Sequence, residues 1–284
     1  MAKHRFKKFE RSENPPGFRI GETDLKILKL LADCRFLDSR QITAFFRSQS
    51  SRNIKKRLQF LYHGGYIERP GQQMATYKLS DYLVYSLGKK GASLVSQDKG
   101  KIIESKPSKE VGVSFMRHSL MISDFRLALE AALKNNGTFK LAVWREMGAI
   151  DAVHCDNCRL PIAPDAFFAI DHKDFVMHFF LEADRSTMTL ERVANKFKGY
   201  WYWKADGGHT QKIGINSFRV LTICLSDERA ENLRQVAAKA NGRETGSDMF
   251  WFARANAYDL QNPENILAPI WRSAKGGGLR HLLE

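Results

Sequence analysis

Apolar residues recur at helical spacing between Glu22 and Cys34, where Leu25, Ile27, Leu28, Leu30 and Leu31 form one stripe behind Thr23 as a candidate N-cap. A turn is expected at Arg35–Asp38. Ser39 then caps a second, shorter helix carrying Ile42, Phe45 and Phe46. Ser48–Ser51 separates it from a third helix, Arg52 to His63, with Ile54, Leu58 and Leu61 on its inner side. Gly64-Gly65 stops that helix. Tyr66–Arg69 and Thr76–Leu79 flank a Pro-Gly-Gln-Gln turn and read as a hairpin. Tyr82–Leu87 and Gly88–Ala92 lead into a short segment ending near Val95.

Three helices followed by a hairpin predict a winged helix-turn-helix domain over residues 20–97. A basic flexible arm, 1–19, precedes it and ends at Pro15-Pro16-Gly17. The polar stretch at 98–113 reads as a linker. The pattern then changes to mixed α/β over 114–284. Phe115–Leu133 is a long amphipathic helix. Thr138–Glu146, Asp165–Asp171 and Phe175–Asp184 are strands, the last two joined by a turn at Asp171-His172-Lys173-Asp174. A helix capped by Ser186 or Thr187 runs to about Trp203. Phe218–Leu225 is a strand, Ala230–Ala240 a helix, Met249–Ala253 a strand and Ile266–Ser273 a helix-like piece.

Charge adds a partner to this picture. The 284 residues carry a net +14, of which +12 falls on residues 1–115 and +2 on the rest. A positive field on one part of a chain concentrates polyanions there. No apolar run approaches membrane-spanning length and the N-terminus has no apolar core, so no membrane partner is expected and a cytoplasmic location follows. Four cysteines are too few and too scattered for a disulfide framework. His154, Cys155 and Cys158 are half of a zinc site at most, since structural zinc takes four ligands.

The third helix is the expected DNA-reading element. Arg52, Asn53, Lys55, Lys56 and Arg57 lie on its polar side, with Arg69 and Lys78 on or near the wing. Lysine and arginine contact phosphates, and arginine and asparagine read base edges in the major groove.

The second half carries carboxylates where strands are otherwise apolar. Glu182 and Asp184 share a strand face, and Asp165 starts the neighbouring strand. Lys196 and Tyr200 share a helix face that the short connection after Asp184 returns over them. Asp165, Glu182 and Asp184 are therefore candidate ligands for Mg²⁺ or Mn²⁺, with Lys196 and Tyr200 completing a catalytic set for phosphodiester hydrolysis. Glu146 is a further candidate ligand. His118 and Asp124 are helix residues within potential reach. Each of these carboxylates has a structural alternative, such as an ion pair with a nearby arginine.

Pro164-Asp165 followed by Glu182-x-Asp184 resembles the restriction-endonuclease-like PD-(D/E)xK superfamily. Lys196-x-x-x-Tyr200 is similar to the helix motif of its RecB-like branch, and Asp184 stands where the usual pattern places lysine. A wider set resembles the replication-relaxation family of plasmids and integrative elements. It comprises Thr23–Leu31, Arg57-Leu58-x-x-Leu61, Leu87-Gly88-x-x-Gly91-Ala92, His118 with Asp124, Pro164-Asp165, Glu182-x-Asp184-x-x-Thr187, Lys196-x-x-x-Tyr200, Phe218–Leu221 and Ile270-Trp271. That resemblance implies a DNA-binding protein of a mobile element that acts in replication or transfer alongside other replication or transfer proteins. Two functions compete: a metal-dependent nickase targeted by its winged helix, and a non-catalytic accessory protein or regulator with an inactive nuclease-like domain. A tyrosine relaxase using Tyr200 or Tyr202 is disfavoured, because no His-hydrophobic-His triplet occurs.

Overall fold

The computed structural model describes residues 7–15, 17–75, 81–105, 111–146, 153–154, 161–242 and 245–284. The chain divides into two compact units, Met1–Asp124 and Phe125–Glu284.

The first unit contains α1 (Glu22–Asp33), β1 (Leu37–Asp38), α2 (Ser39–Phe45), α3 (Ser51–His63), β2 (Ile67–Glu68), α4 (Gln72–Ala75), β3 (Val84–Leu87) and α5 (Lys89–Lys99). Ile27, Leu28, Ile42, Ile54, Leu58 and Leu61 are fully buried, so the predicted stripes of α1, α2 and α3 form one core. The caps differ from expectation. Asp24 reaches back to the Gly21 amide at 2.8 Å, so Gly21 precedes α1 where Thr23 was expected as N-cap. Asp38 caps α2 in place of Ser39: its carboxylate accepts from the Gln41 amide, and the Gln41 side chain accepts from the Asp38 amide, both at 2.8 Å.

The expected turn at Arg35–Asp38 contains β1, because Leu37 and Asp38 pair antiparallel with Tyr85 and Val84. The three strands run in the order β1-β3-β2, all antiparallel. The partner of β2 is therefore Val84–Leu87. The expected second hairpin strand, Thr76–Leu79, and with it Lys78, lies outside the described residues. The expected Pro-Gly-Gln-Gln turn continues into α4. Gly91 explains its own place in the Leu87–Ala92 motif. A Cβ there would lie 2.2 Å from the Tyr66 carbonyl oxygen, so only glycine lets α5 approach β2 this closely.

The helix α6 (Val113–Asn136) is continuous across Asp124, and its later residues belong to the second unit. That unit adds β4 (Lys140–Glu146), β5 (Val153–His154), β6 (Pro161–Ile162), β7 (Ala166–Asp171), β8 (Val176–Asp184), α7 (Leu190–Ala205), α8 (Gly208–Ile213), β9 (Arg219–Cys224), α9 (Asp227–Ala238), β10 (Phe250–Arg254), a 3₁₀ turn at Pro263–Leu267, β11 (Trp271–Ser273) and β12 (Leu279–Arg280). Seven strands form a mixed sheet in the order β12-β11-β10-β9-β8-β7-β4. β8, β9 and β10 are mutually parallel neighbours, and the other pairings are antiparallel. From α6 to β10 every expected element is present in the expected order, and the structure adds three short ones that were not expected, β5, β6 and α8. The C-terminal piece differs from the expected helix: Pro269 disfavours helix at the residue before it, and Trp271–Ser273 alternates buried, exposed, buried as an added strand.

The two sheet faces hold different cores. Phe168 stacks on Phe179 and packs against Phe125 of α6. On the opposite face Phe180 packs against Tyr200 and Trp203 of α7, and Phe250 and Phe252 against Phe197. Because β8 alternates, Glu182 and Asp184 fall on the α7 face with Phe180. Cys155 and Cys158 lie outside the described residues.

Candidate functional site

In the first unit α3 sorts its polar residues into two groups. Arg52, Asn53, Lys55 and Lys56 are exposed along one side, opposite buried Ile54, Leu58 and Leu61. Arg57 turns inward. Its Nε donates to the fully buried Asp24 carboxylate at 2.6 Å, its Nη2 donates to Asp24 and to the Arg19 carbonyl, and its guanidinium lies over Phe18. Arg57 is therefore committed to holding α3 against α1. Arg69 is stacked over Tyr62 at 4.1 Å and Tyr85 at 5.4 Å and donates to the Lys8 carbonyl. Asp124, singled out in the sequence for possible reach to the carboxylates, accepts from Arg40 through both oxygens at 2.8 and 2.9 Å.

In the second unit the predicted set of Asp165, Glu182, Lys196 and Tyr200 comes together on the α7 face. Asp165 immediately precedes β7. Its amide donates to the Leu181 carbonyl at 3.0 Å, and its Oδ2 accepts from the Ala183 amide at 2.7 Å. Those two bonds place its carboxylate beside Glu182. Glu182 is 6% exposed. Its Oε2 accepts from Lys196 Nζ and its Oε1 from the Tyr200 hydroxyl at 2.5 Å. The four-residue spacing on α7 delivers both donors to one carboxylate.

The electrostatics follow from burial. Burial lifts Glu182 from 4.5 to about 7, Lys196 pulls it down, and Asp165 adds to the rise. For Lys196 burial acts downward, but the carboxylates of Glu182 and Asp165 outweigh it and the net shift is up. Burial and the adjacent carboxylates hold the Tyr200 phenol well above its ordinary value, so it stays protonated and donates.

Asp184 is on the same face but differently engaged. Arg229, from the first turn of α9, grips it with Nε at 2.8 Å and Nη2 at 3.0 Å, and also donates to the Met188 carbonyl at 2.9 Å. The Ser186 amide adds a bond at 2.9 Å. Each carboxylate thus has its own cation: Lys196 from α7 on Glu182, and Arg229 from α9 on Asp184. Arg229 had no sequence signal, since it lies far along the chain at a helix start. Thr222, paired in register with Glu182, is also part of this face; its Oγ1 is buried and has no hydrogen-bond partner. Glu146 is on the other face. It accepts from Trp144 Nε1 at 3.2 Å and pairs with Arg126 of α6, so the expected extra ligand is not with the set.

As arranged, the donors do not fit a divalent ion held by three carboxylates. Among the described residues no three His, Cys, Asp or Glu side chains are placed to hold a metal. Both oxygens of Glu182 face its lysine and tyrosine, and both oxygens of Asp184 face Arg229.

A small helical unit with an antiparallel sheet, followed by a mixed-sheet α/β unit with a buried Glu–Lys–Tyr cluster, defines a two-unit α/β protein. No helix among the described residues is long and apolar enough to cross a membrane. The family model described as replication-relaxation matches residues 28–217, and the chain belongs to that family. No curated protein and no solved structure matches. The matched span includes α3, Asp165, Glu182, Lys196 and Tyr200, and ends before Thr222 and Arg229.

Proposed function

We propose that the protein binds double-stranded DNA of a mobile element and acts there in replication or transfer. In this reading the first unit is a winged helix, α3 enters the major groove, and the connection between β2 and β3 is the wing. One observation carries it: Arg52, Asn53, Lys55 and Lys56 are exposed on one side of α3 while its apolar side anchors the unit. Family membership and the +12 charge on residues 1–115 support the same reading. The test is binding to duplex DNA from the protein's own element across a salt series. Affinity falls steeply with salt, and Arg52→Ala or Lys56→Ala each lowers the slope of log K against log salt by about one. Affinity that ignores salt, or no duplex binding, overturns the reading.

A second reading, a restriction-endonuclease-like unit that nicks DNA with Mg²⁺ or Mn²⁺, is favoured by the meeting of Asp165, Glu182 and Lys196 on one face. The present pairing of Glu182 with Lys196 and Tyr200 weighs against it and favours a non-catalytic role. Nicking of the element's DNA in the presence of either metal, lost in Asp165→Ala and Glu182→Ala variants that remain folded, decides for the enzyme. Inert wild type decides against it.

A further inference from the structure

The N-terminal segment is tied to the first unit at several points. Arg11 donates to the carbonyls of Tyr62 at 3.0 Å and Ile67 at 3.1 Å and pairs with Glu68 at 2.7 Å. The Ser12 amide donates to His63 Nδ1 at 3.1 Å, and Arg69 donates to the Lys8 carbonyl. These anchors hold residues 8–12 against the end of α3 and against β2, and they create a cleft of about 460 Å³.

The chemistry of the cleft is specific. Among the described residues Lys7, Lys8, Lys55 and Arg69 line it against a single carboxylate, Asp81, so an anion is favoured. Lys7 also pairs with Glu10, but both side chains are largely exposed, so that pair competes weakly. Tyr82, 46% exposed, supplies an aromatic surface. Cations beside an accessible ring suit a phosphate joined to a flat base, because every base has a face to stack. Volume agrees, since small-ligand sites occupy roughly 300–1,000 Å³. Position agrees as well: Lys55 and Gln59 of α3 line the cleft, one turn apart on the helix that exposes Arg52 and Lys56.

We propose that this cleft takes one unpaired nucleotide of the DNA strand next to the segment α3 contacts, with its phosphate on Lys8 and Lys55 and its base against Tyr82. The proposal rests on the DNA-binding reading above. A paired nucleotide keeps its base in the stack, so the cleft makes the protein prefer a duplex that carries a single-stranded extension over the same duplex with blunt ends.

The test uses the full chain and fluorescence anisotropy with both duplexes, each labelled. Wild type is expected to bind the extended duplex about ten-fold tighter, as one base–aromatic stack allows. Tyr82→Ala and Lys8→Ala, both at exposed positions, erase that preference, so that each variant binds the two duplexes equally. Arg52→Ala weakens both substrates alike. Equal wild-type affinities, or a preference that survives both cleft variants, overturns the proposal while duplex binding itself stands. No binding to blunt duplex, with a Tyr82-dependent preference for the extension intact, overturns the α3 reading instead. Free thymidine monophosphate is the remaining arm: competing away the preference supports the cleft, and binding at Tyr82 without any strand preference assigns it to free nucleotides and overturns the strand.

Discussion

Replacing Lys196 with methionine keeps the length of the side chain and removes the cation from a buried carboxylate. Glu182 would then keep only the Tyr200 hydroxyl, with Asp165 still beside it. Removing one member of a buried pair typically costs about 3–5 kcal/mol. Protonation of Glu182 caps the loss, so the lower end, about 3 kcal/mol, is expected at neutral pH. All five tryptophans, Trp144, Trp201, Trp203, Trp251 and Trp271, lie in the second unit, so urea unfolding followed by tryptophan fluorescence reads that unit alone. The pH dependence has a definite sign. Burial lifts Glu182 from 4.5 to about 7, so the folded state retains a proton that the unfolded state has released. Stability contributed by this group is greatest below 4.5 and declines as pH rises toward 7, by about 3 kcal/mol in all. The raised Lys196 leaves its own contribution intact throughout that window, because a lysine contribution is lost only as pH rises through its folded value. In Lys196→Met the decline extends above pH 7, since the cation that restrained Glu182 is gone. The double variant Lys196→Met/Glu182→Gln removes both charges and should recover most of the loss. A single variant within about 1 kcal/mol of wild type, or a double variant no better than the single, refutes the reasoning.

Arg57→Ala leaves the Asp24 carboxylate buried without its guanidinium and should destabilise the first unit by about 3 kcal/mol, seen as an earlier circular-dichroism transition. Its DNA binding, measured well below that transition, should fall less than that of Arg52→Ala. Gly91→Ala should cost about 1–3 kcal/mol by driving a methyl against the Tyr66 carbonyl, whereas Gly71→Ala, with nothing within 4 Å, should be neutral in the same melt. Arg229→Lys loses the two-pronged grip on Asp184 and the bond to Met188; faster hydrogen exchange in residues 184–190 than in wild type is the expected readout, and unchanged exchange counts against a clamping role.

Elements with strong periodicity were legible in the sequence. The apolar stripes of α1 and α3 placed their residues on the faces the structure shows, and in β8, buried on both faces from Phe179 onward, the two-residue period of a strand put Glu182 and Asp184 on one side. The Glu182–Lys196–Tyr200 grouping was legible for the same reason: two periods, one of strand and one of helix, set which side chains share a face. Short elements were not. β1 has two residues, and only pairing with β3 makes it a strand. β2 pairs with β3, further along the chain than the expected hairpin strand, whose residues lie outside those described. Arg57 read as a DNA contact because a periodicity argument sees its side of the helix but not the buried Asp24 that α1 brings to it. Arg229 was invisible because no local pattern announces that the start of α9 returns to the end of β8.

The parallel pairing of β8 with β9 has a consequence for the order of events in folding. β7 and β8 are joined by a tight turn and can zip as a hairpin within microseconds. β8 gains its other neighbour only when the chain has passed through α7 and α8 and crossed back, a slower, non-local step. Glu182 stands on the edge that waits. Lys196 and Tyr200 ride on the crossing helix itself, so the event that strips water from the carboxylate is the one that delivers its counter-charge and its hydroxyl donor. The chain need not carry a naked buried anion at any stage of assembly.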